Sequence, residues 1–133
     1  MSRKIADLTQ ETQEKVRVFT DKVLAAGIRF AISSTYRTQD EQNALWDIGR
    51  VVPGKKVTWK RISEHTSRKA FDIVILKNGK ASWDIVKTDV NANEIPDYEE
   101  VGIIGESVGL IWGGRWAVQD CCHFQLPEGG GSV

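Results

Sequence analysis

The segment KAFDIVILKNGKASWDIV constrains this chain more than any other. Phe71, Ile73 and Ile75 alternate with Asp72, Val74 and Leu76, the period of a strand whose two faces differ. Asn78-Gly79 follows at once, and that pair is the strongest short hairpin signal because both residues tolerate positive φ. One residue breaks the apolar pattern. Asp72 stands at the start of the strand, where an inward-pointing charge is very costly unless it is paired or bound to a metal.

The rest of the chain arranges itself around that hairpin. Residues from about 9 to 26 read as a helix, with Val16, Phe19, Val23 and Ala26 at helical spacing and Gly27 as its stop. In IRFAISSTYR, Ile28, Phe30 and Ile32 alternate as in a strand. TQDEQNALWDIG opens with the capping box Thr38 and Glu41 and closes at Gly49. Tyr36 and Arg37 therefore fall at a strand-to-helix junction, where side chains project into a cleft. VVPGKKVTWKRI has turn chemistry at Pro53-Gly54 and reads as a long loop or ribbon. PDYEEVGIIGESVGL predicts a third helix, with Tyr98, Val101, Ile104 and Val108 on one stripe and Gly109 after it. A glycine-rich turn, WGGRW, then leads to a last strand, CCHFQL. The order predicts an α+β fold: a small antiparallel sheet with helices packed against it, residues 1–127 forming one domain and EGGGSV, residues 128–133, a flexible tail.

Composition narrows the function classes. The chain has 133 residues, 41% of them hydrophobic, with five Trp, which fits one globular core. No run of eighteen apolar residues exists, so membrane insertion is not expected. MSRKIADLTQETQEK lacks the apolar centre of a secretory signal, so synthesis and retention in the cytoplasm are expected. Net charge is zero, but residues 1–70 carry 14 Lys/Arg against 8 Asp/Glu and residues 71–133 carry 4 against 10. The basic excess is densest from Arg50 to Lys69, a stretch able to steer an anionic polymer. Neutral overall balance, and aromatics that do not interleave with the cations in sequence, argue against nucleic acid as the partner. Cys121 and Cys122 are adjacent and read as two reduced thiols, sensitive to oxidation, and a four-thiolate zinc site is excluded. The size, without a heptad stripe, favours a monomer.

Only two histidines are present, so a catalytic metal site of the His/carboxylate type must use both and add an acid, for which Asp72 is the natural choice. His65 is an odd number of positions from Asp72, and TSRKA between them must turn for both to reach one pocket. His123 begins the last strand with Gln125 on the same face, and Asp120 precedes it in or near a turn. From there Asp120 can move protons for water made acidic at a metal. Spacing alone leaves the commoner reading open, in which each histidine is a structural hydrogen-bonder.

SEHTSRKAFD resembles the Ser-x-His-x-x-Gly-x-Ala-x-Asp signature of the D-alanyl-D-alanine metallopeptidase family, which includes the phage L-alanyl-D-glutamate endolysins, through Ser63, His65, Ala70 and Asp72. DCCHF is similar to its Asp/Glu-x-x-His ending, STYRTQDEQNALWDIGR to its Tyr-Arg-Ser/Thr segment with downstream Gln and Leu, and GRVVPGKKVTW to the loop that follows in the endolysin branch. The similarity runs from about Ser33 to Leu126. It implies a hedgehog/D,D-peptidase-like fold with Zn2+ in a cleft, held by His65, Asp72 and His123. It further implies Asp120 as general base and acid, and Arg37 as the group that holds a substrate carboxylate or carbonyl and steadies the oxyanion. Ser63 is expected near the metal or substrate and Trp116, with Trp112, along the groove. The signature's glycine is Arg68 here, which puts the turn between His65 and Asp72 in question.

These expectations add up to a zinc peptidase acting on peptidoglycan stem peptides, with the Asp-x-x-His ending favouring the L-Ala–D-Glu bond. A single-domain phage or prophage endolysin is the implied setting: made in the host cytoplasm, acting in the periplasm or wall once a holin-type partner opens the membrane. The alternatives are a D-Ala-D-Ala dipeptidase or an L,D- or D,D-carboxypeptidase on the same centre, and a non-catalytic zinc-binding module. Retention of Asp120 and Arg37 argues against the module, since a structural metal needs neither.

Overall fold

A computed structural model describes residues 1–127, so the 128–133 tail lies outside the described residues. A short 3-10 turn, Ile5–Asp7, precedes helix α1, Gln10–Ala25. Thr9 caps α1 by accepting from Thr12 N, and Val16, Phe19 and Val23 form its buried stripe. Gly27 ends it with φ +80, a conformation that costs a side-chain-bearing residue. The chain then enters β1, Arg29–Ser34, and reaches α2, Gln39–Asp47, whose capping box between Thr38 and Glu41 is complete. Strands β2, Ala70–Lys77, and β3, Lys80–Ser82, form the hairpin around Asn78-Gly79. Helix α3, Asp97–Ser107, strand β4, Ile111–Trp112, a 3-10 turn Gly113–Arg115 and strand β5, His123–Gln125, complete the order.

All strand pairs are antiparallel, in the order β1-β2-β5-β4, with β3 on the β5 side of β2. This is the α+β architecture read from the sequence. β2 is the hub: β1 runs along one edge, while β5 takes Ala70, Phe71 and Asp72 and β3 takes Ile75, Leu76 and Lys77 on the other. Alternation divides the sheet. Phe71, Ile73 and Ile75 are completely buried, and Phe71 pairs with Phe124 across β2 and β5 with their rings stacked 5.5 Å apart. Phe19 of α1 meets both rings, at 5.5 and 4.9 Å, so one face of the sheet holds the aromatic core. Tyr98 of α3 is buried and its hydroxyl accepts from Ile75 N and donates to Ser82 O, pinning the hairpin to the helix.

Three expectations change. β4 is a strand that takes in the first residue of what reads as a glycine-rich turn; two residues are too short to show a period and gain their pairing only from β5. The last strand is only His123–Gln125, because the Cys121-Cys122 pair belongs to the turn before it. Along α3, Gly102 and Gly105 share the buried face with Tyr98 and Val101, while Ile104 and Val108 are half-buried. A Cβ on Gly102 would lie 2.3 Å from the Trp112 ring, so the glycines let α3 approach the sheet.

Candidate metal centre

The other face of the sheet carries the polar residues. Asp72 and His123 are direct register partners across β2 and β5, so the sheet itself brings them together. Asp72 Oδ1 lies 3.0 Å from His123 Nδ1. A bulge in β1 between Ile32 and Ser34 realigns that strand so that Ser34 pairs with Asp72 and the chain turns out at Thr35. His65 arrives from outside the sheet, in the turn over residues 64–68, and its Nε2 lies 3.2 Å from Asp72 Oδ1. The candidate ligand atoms of His65, Asp72 and His123 all fall within 4.8 Å of one another.

Each ring is oriented by a partner on its far nitrogen. His65 Nδ1 donates to Thr35 O at 2.7 Å, which leaves Nε2 as the lone-pair nitrogen. That Nε2 is buried and has no hydrogen-bond partner, a cost of about 1–3 kcal/mol unless an ion takes it. His123 Nε2 donates to Gln125 Oε1 at 2.8 Å, freeing Nδ1 to face Asp72. Two imidazole nitrogens and one carboxylate oxygen, each oriented from behind, fit the donor set of a zinc site with an open position. Burial works to raise the Asp72 pKa, but the His123 and His65 imidazoles against it, which donate to it whenever the facing nitrogen carries the proton, outweigh burial and hold the carboxyl well below its ordinary range. It is therefore an anion, as a metal ligand must be.

The turn that delivers His65 keeps a glycine-like backbone without the glycine. Arg68 has φ +64. Its guanidinium lies over the Tyr36 ring at 3.8 Å and donates to Asp7 O at 3.0 Å, contacts that offset the strain of the left-handed conformation. Ser63 is buried in the same turn and its Oγ accepts from His65 N at 3.1 Å, so it shapes the backbone under the imidazole.

Asp120, Arg37 and Trp116 surround the trio. Asp120 stands at the rim, tied through Asp120 N to Gly113 O and through Asp120 O to His123 N. Gly113 has to be glycine for this, since a Cβ there would come within 2.4 Å of Asp120 O. Partial enclosure, and the Asp72 carboxylate beside it, push the Asp120 pKa above its ordinary value. Arg37 Nη1 donates to Gln42 Oε1 at 2.7 Å, and its Nε points at the Met1 sulfur at 3.0 Å. Gln42 is completely buried in α2 and also donates to Lys60 O, so one amide aligns both Arg37 and the far wall of the cleft. In the sequence Gln42 is only a residue downstream of Tyr36-Arg37 and Gln125 only a strand neighbour of His123. The contacts that make them orienting residues are long-range. The Trp116 ring packs 5.1 Å from His123 with Lys60 Nζ over it at 4.9 Å.

Trp112, read as a groove residue, is instead buried with Nε1 donating to Cys121 O. Cys121 and Cys122 are unpaired, and burial, reinforced by Asp120 and Asp72, pushes the Cys122 thiol up to about 12. A thiol held protonated at neutral pH is the less nucleophilic form. The cations and aromatics of the basic stretch, apart in sequence, meet in space: Arg50 lies 3.5 Å over Trp46 and 5.6 Å from Trp59. Arg50 also donates to Trp46 O and Thr58 O and so staples the loop.

Two openings meet at this centre. One cavity of about 670 Å³ is lined by Val57, Trp59, Lys60 and Trp116 among others, and a second of about 530 Å³ by Arg3, Ser33 and Trp83. Met1, Arg37, Asp72 and Asp120 line both, so the two cavities adjoin at the carboxylate of the trio.

The sequence profile of the D-alanyl-D-alanine carboxypeptidase family matches residues 56–126. The peptidoglycan L-alanyl-D-glutamate endopeptidase CwlK of Bacillus subtilis is 36% identical over 104 residues, which are 75% of this chain and 62% of that protein. The chain thus spans less than two thirds of that relative's length. The crystal structure of the Serratia marcescens L-Ala D-Glu endopeptidase ChiX covers 92% of this chain and 83% of its own, with a TM-score of 0.71 at 19% identity. The LD-carboxypeptidase LdcB gives 0.64 at 19% identity over 90% of this chain and 58% of its own. A D,D-pentapeptidase VanY mutant in complex with Zn(II) gives 0.58 at 15% identity over 90% and 72%. These three structures share the fold.

Proposed function

This chain belongs to the D-alanyl-D-alanine carboxypeptidase family of zinc peptidases, and from that premise we propose that it hydrolyses a bond inside the stem peptide of bacterial peptidoglycan, most specifically L-Ala–D-Glu. The observation that carries the reading is a pair of cavities that adjoin at Asp72 of the His65–Asp72–His123 trio, with Arg37 and Asp120 lining both. An internal bond needs room for chain before and after it. A carboxypeptidase needs room on one side only.

His65 Nε2, Asp72 Oδ1 and His123 Nδ1 would hold the zinc. When bound, zinc supplies a Lewis acid that polarises the scissile carbonyl and acidifies water. Asp120 takes the proton of the attacking water on its carboxylate and returns it to the amine nitrogen as the carbon–nitrogen bond breaks. Arg37, held by Gln42, presents a permanently charged fork to the oxygen on which negative charge develops. Trp116 screens His123 from bulk water on the cavity side. The endolysin setting, with release by a holin-type partner, rests on the likeness of GRVVPGKKVTW to that branch.

The test is digestion of purified peptidoglycan by zinc-loaded protein, with mass spectrometry of the new termini. L-Ala carboxyl and D-Glu amino ends, abolished by a chelator, are expected. Release of free D-Ala alone would move the assignment to a carboxypeptidase. Unchanged sacculi with normal zinc binding would leave the non-catalytic module.

A further inference from the structure

Away from the cleft, the loop leading into α3 carries an oxygen-rich cluster that the peptidase chemistry does not use. Counting from Asp89, side-chain oxygens recur at the first, third, fifth, ninth and twelfth positions, as Asp89, Asn91, Asn93, Asp97 and Glu100. Calcium loops use that spacing because alternate side chains turn toward one centre and a carboxylate at the twelfth position closes it. Spacing and acidity do not by themselves make a site. Burial adds what they lack. Asp97 is 0% exposed; its Oδ2 accepts from Val90 N at 2.7 Å, while its Oδ1 is buried with no hydrogen-bond partner. Asn91 Oδ1 is buried and partnerless in the same way, its orientation set by Nδ2 donating to Ala26 O at 2.9 Å. Only four buried side-chain atoms among the described residues lack a partner, and two of them stand in this one loop. A third is His65 Nε2, at the zinc centre.

The cluster faces inward on itself. Asn91 Nδ2 and Asn93 Nδ2 both reach Glu100 Oε1, at 3.2 and 2.7 Å. Asp89 folds the loop by accepting from Asn93 N and Glu94 N. Burial pushes the Asp97 pKa up, the bond from Val90 N opposes it, and the neighbouring Asp89 and Glu100 charges add to the rise. We propose that the Asp89–Glu100 loop is a calcium site, with Asp97 Oδ1 and Asn91 Oδ1 as its buried ligands and Asp89, Asn93 and Glu100 closing around them. Every donor is oxygen, which excludes a soft metal, and mixed amide and carboxylate ligands on an irregular loop suit calcium better than octahedral magnesium. Glu100 must release Asn91 Nδ2, which keeps its bond to Ala26 O, and Asn93 must turn its amide so that oxygen replaces nitrogen toward the centre.

The consequence is mechanical. Asn91 holds the end of α1 through Ala26 O, Asp97 opens α3, and Tyr98 beside it ties β2 to β3. Calcium here clamps three elements together and leaves the peptidase groove untouched, so this site stands or falls independently of the peptidase reading. The experiment is calorimetric titration of zinc-loaded protein with calcium chloride, alongside thermal melts. One binding event and a melting temperature about 5 °C higher at tenfold excess over Kd are expected. Asp89→Asn and Glu100→Gln should each weaken calcium binding at least tenfold and erase the shift, with zinc content unchanged. No heat and no shift in the wild-type protein up to 10 mM would overturn the site, whatever the variants do. So would an equal shift in both variants, or the same shift with magnesium.

Discussion

His65 and His123 each give one ring nitrogen to a protein acceptor and turn the other toward Asp72, and the acceptors differ in kind. Thr35 offers a backbone carbonyl that no substitution removes, whereas Gln125 offers a side chain. Gln125→Leu should therefore keep the fold and weaken zinc binding by about 10- to 100-fold, measured by competition with a chromogenic chelator. Arg37→Lys keeps the charge but loses the fork that Gln42 aligns. It is expected to lower kcat by about 10²–10³-fold on peptidoglycan fragments while zinc affinity stays the same. Arg68 tests the turn. Arg68→Gly loses the Tyr36 contact but relieves the left-handed strain, whereas Arg68→Ala loses the contact and keeps the strain. In urea denaturation the glycine variant should be the more stable of the two by about 1 kcal/mol.

At the scale of elements, β2 and β5 form the frame of the centre, because their register puts Asp72 opposite His123 on one face and Phe71 opposite Phe124 on the other. Core and site share two adjacent cross-strand pairs, so a disturbance on one face reaches the other. Gly105 of α3 is the place to see this: a Cβ there would lie 2.4 Å from the Phe124 ring. Gly105→Ala gains helix propensity of about 1 kcal/mol, but the overlap costs more, and a net loss of about 1–2 kcal/mol is expected in urea melts. Zinc affinity should fall with it, since Phe124 follows His123 directly. The same packing explains why α3 was only half legible. Its Tyr98 and Val101 stripe is visible as a period, but glycines on a buried face look like weak helix positions until the ring they make room for is known.

For the whole molecule, the proposed zinc centre joins a loop turn to the two central strands, and binding there should stabilise the native state by mass action. At 100-fold excess of free zinc over Kd that is about 2.7 kcal/mol, or roughly 10 °C in melting temperature, and a chelator should remove it. The basic wall acts at longer range. Lys55 and Lys56 are exposed on the loop that Arg50 staples, beside exposed Trp59. Replacing Lys55, Lys56 and Lys60 with Gln should slow lysis of sacculi at low salt, with the difference vanishing at high salt. Equal rates at both salt levels would assign the wall no part in holding the polymer. No helix among the described residues is long and apolar enough to cross a membrane.

What this chain's order of residues determined alone is local: the helix stripes and caps, the Asn78-Gly79 hairpin, the alternation of β2, and which two imidazoles and which carboxylate were available. Periodicity and turn chemistry act over a few residues and need no partner to be read. What only the tertiary structure decided is convergence. The 51-residue span between Asp72 and His123 closes through strand register, His65 reaches them through a turn held by Arg68 in a glycine's conformation, and Gln42 and Gln125 become orienting groups through contacts absent from any local window. The two-residue β4, the burial of Trp112 and the buried oxygens of the Asp89–Glu100 loop belong to the same class, because burial and pairing are properties of neighbours that sequence distance does not encode.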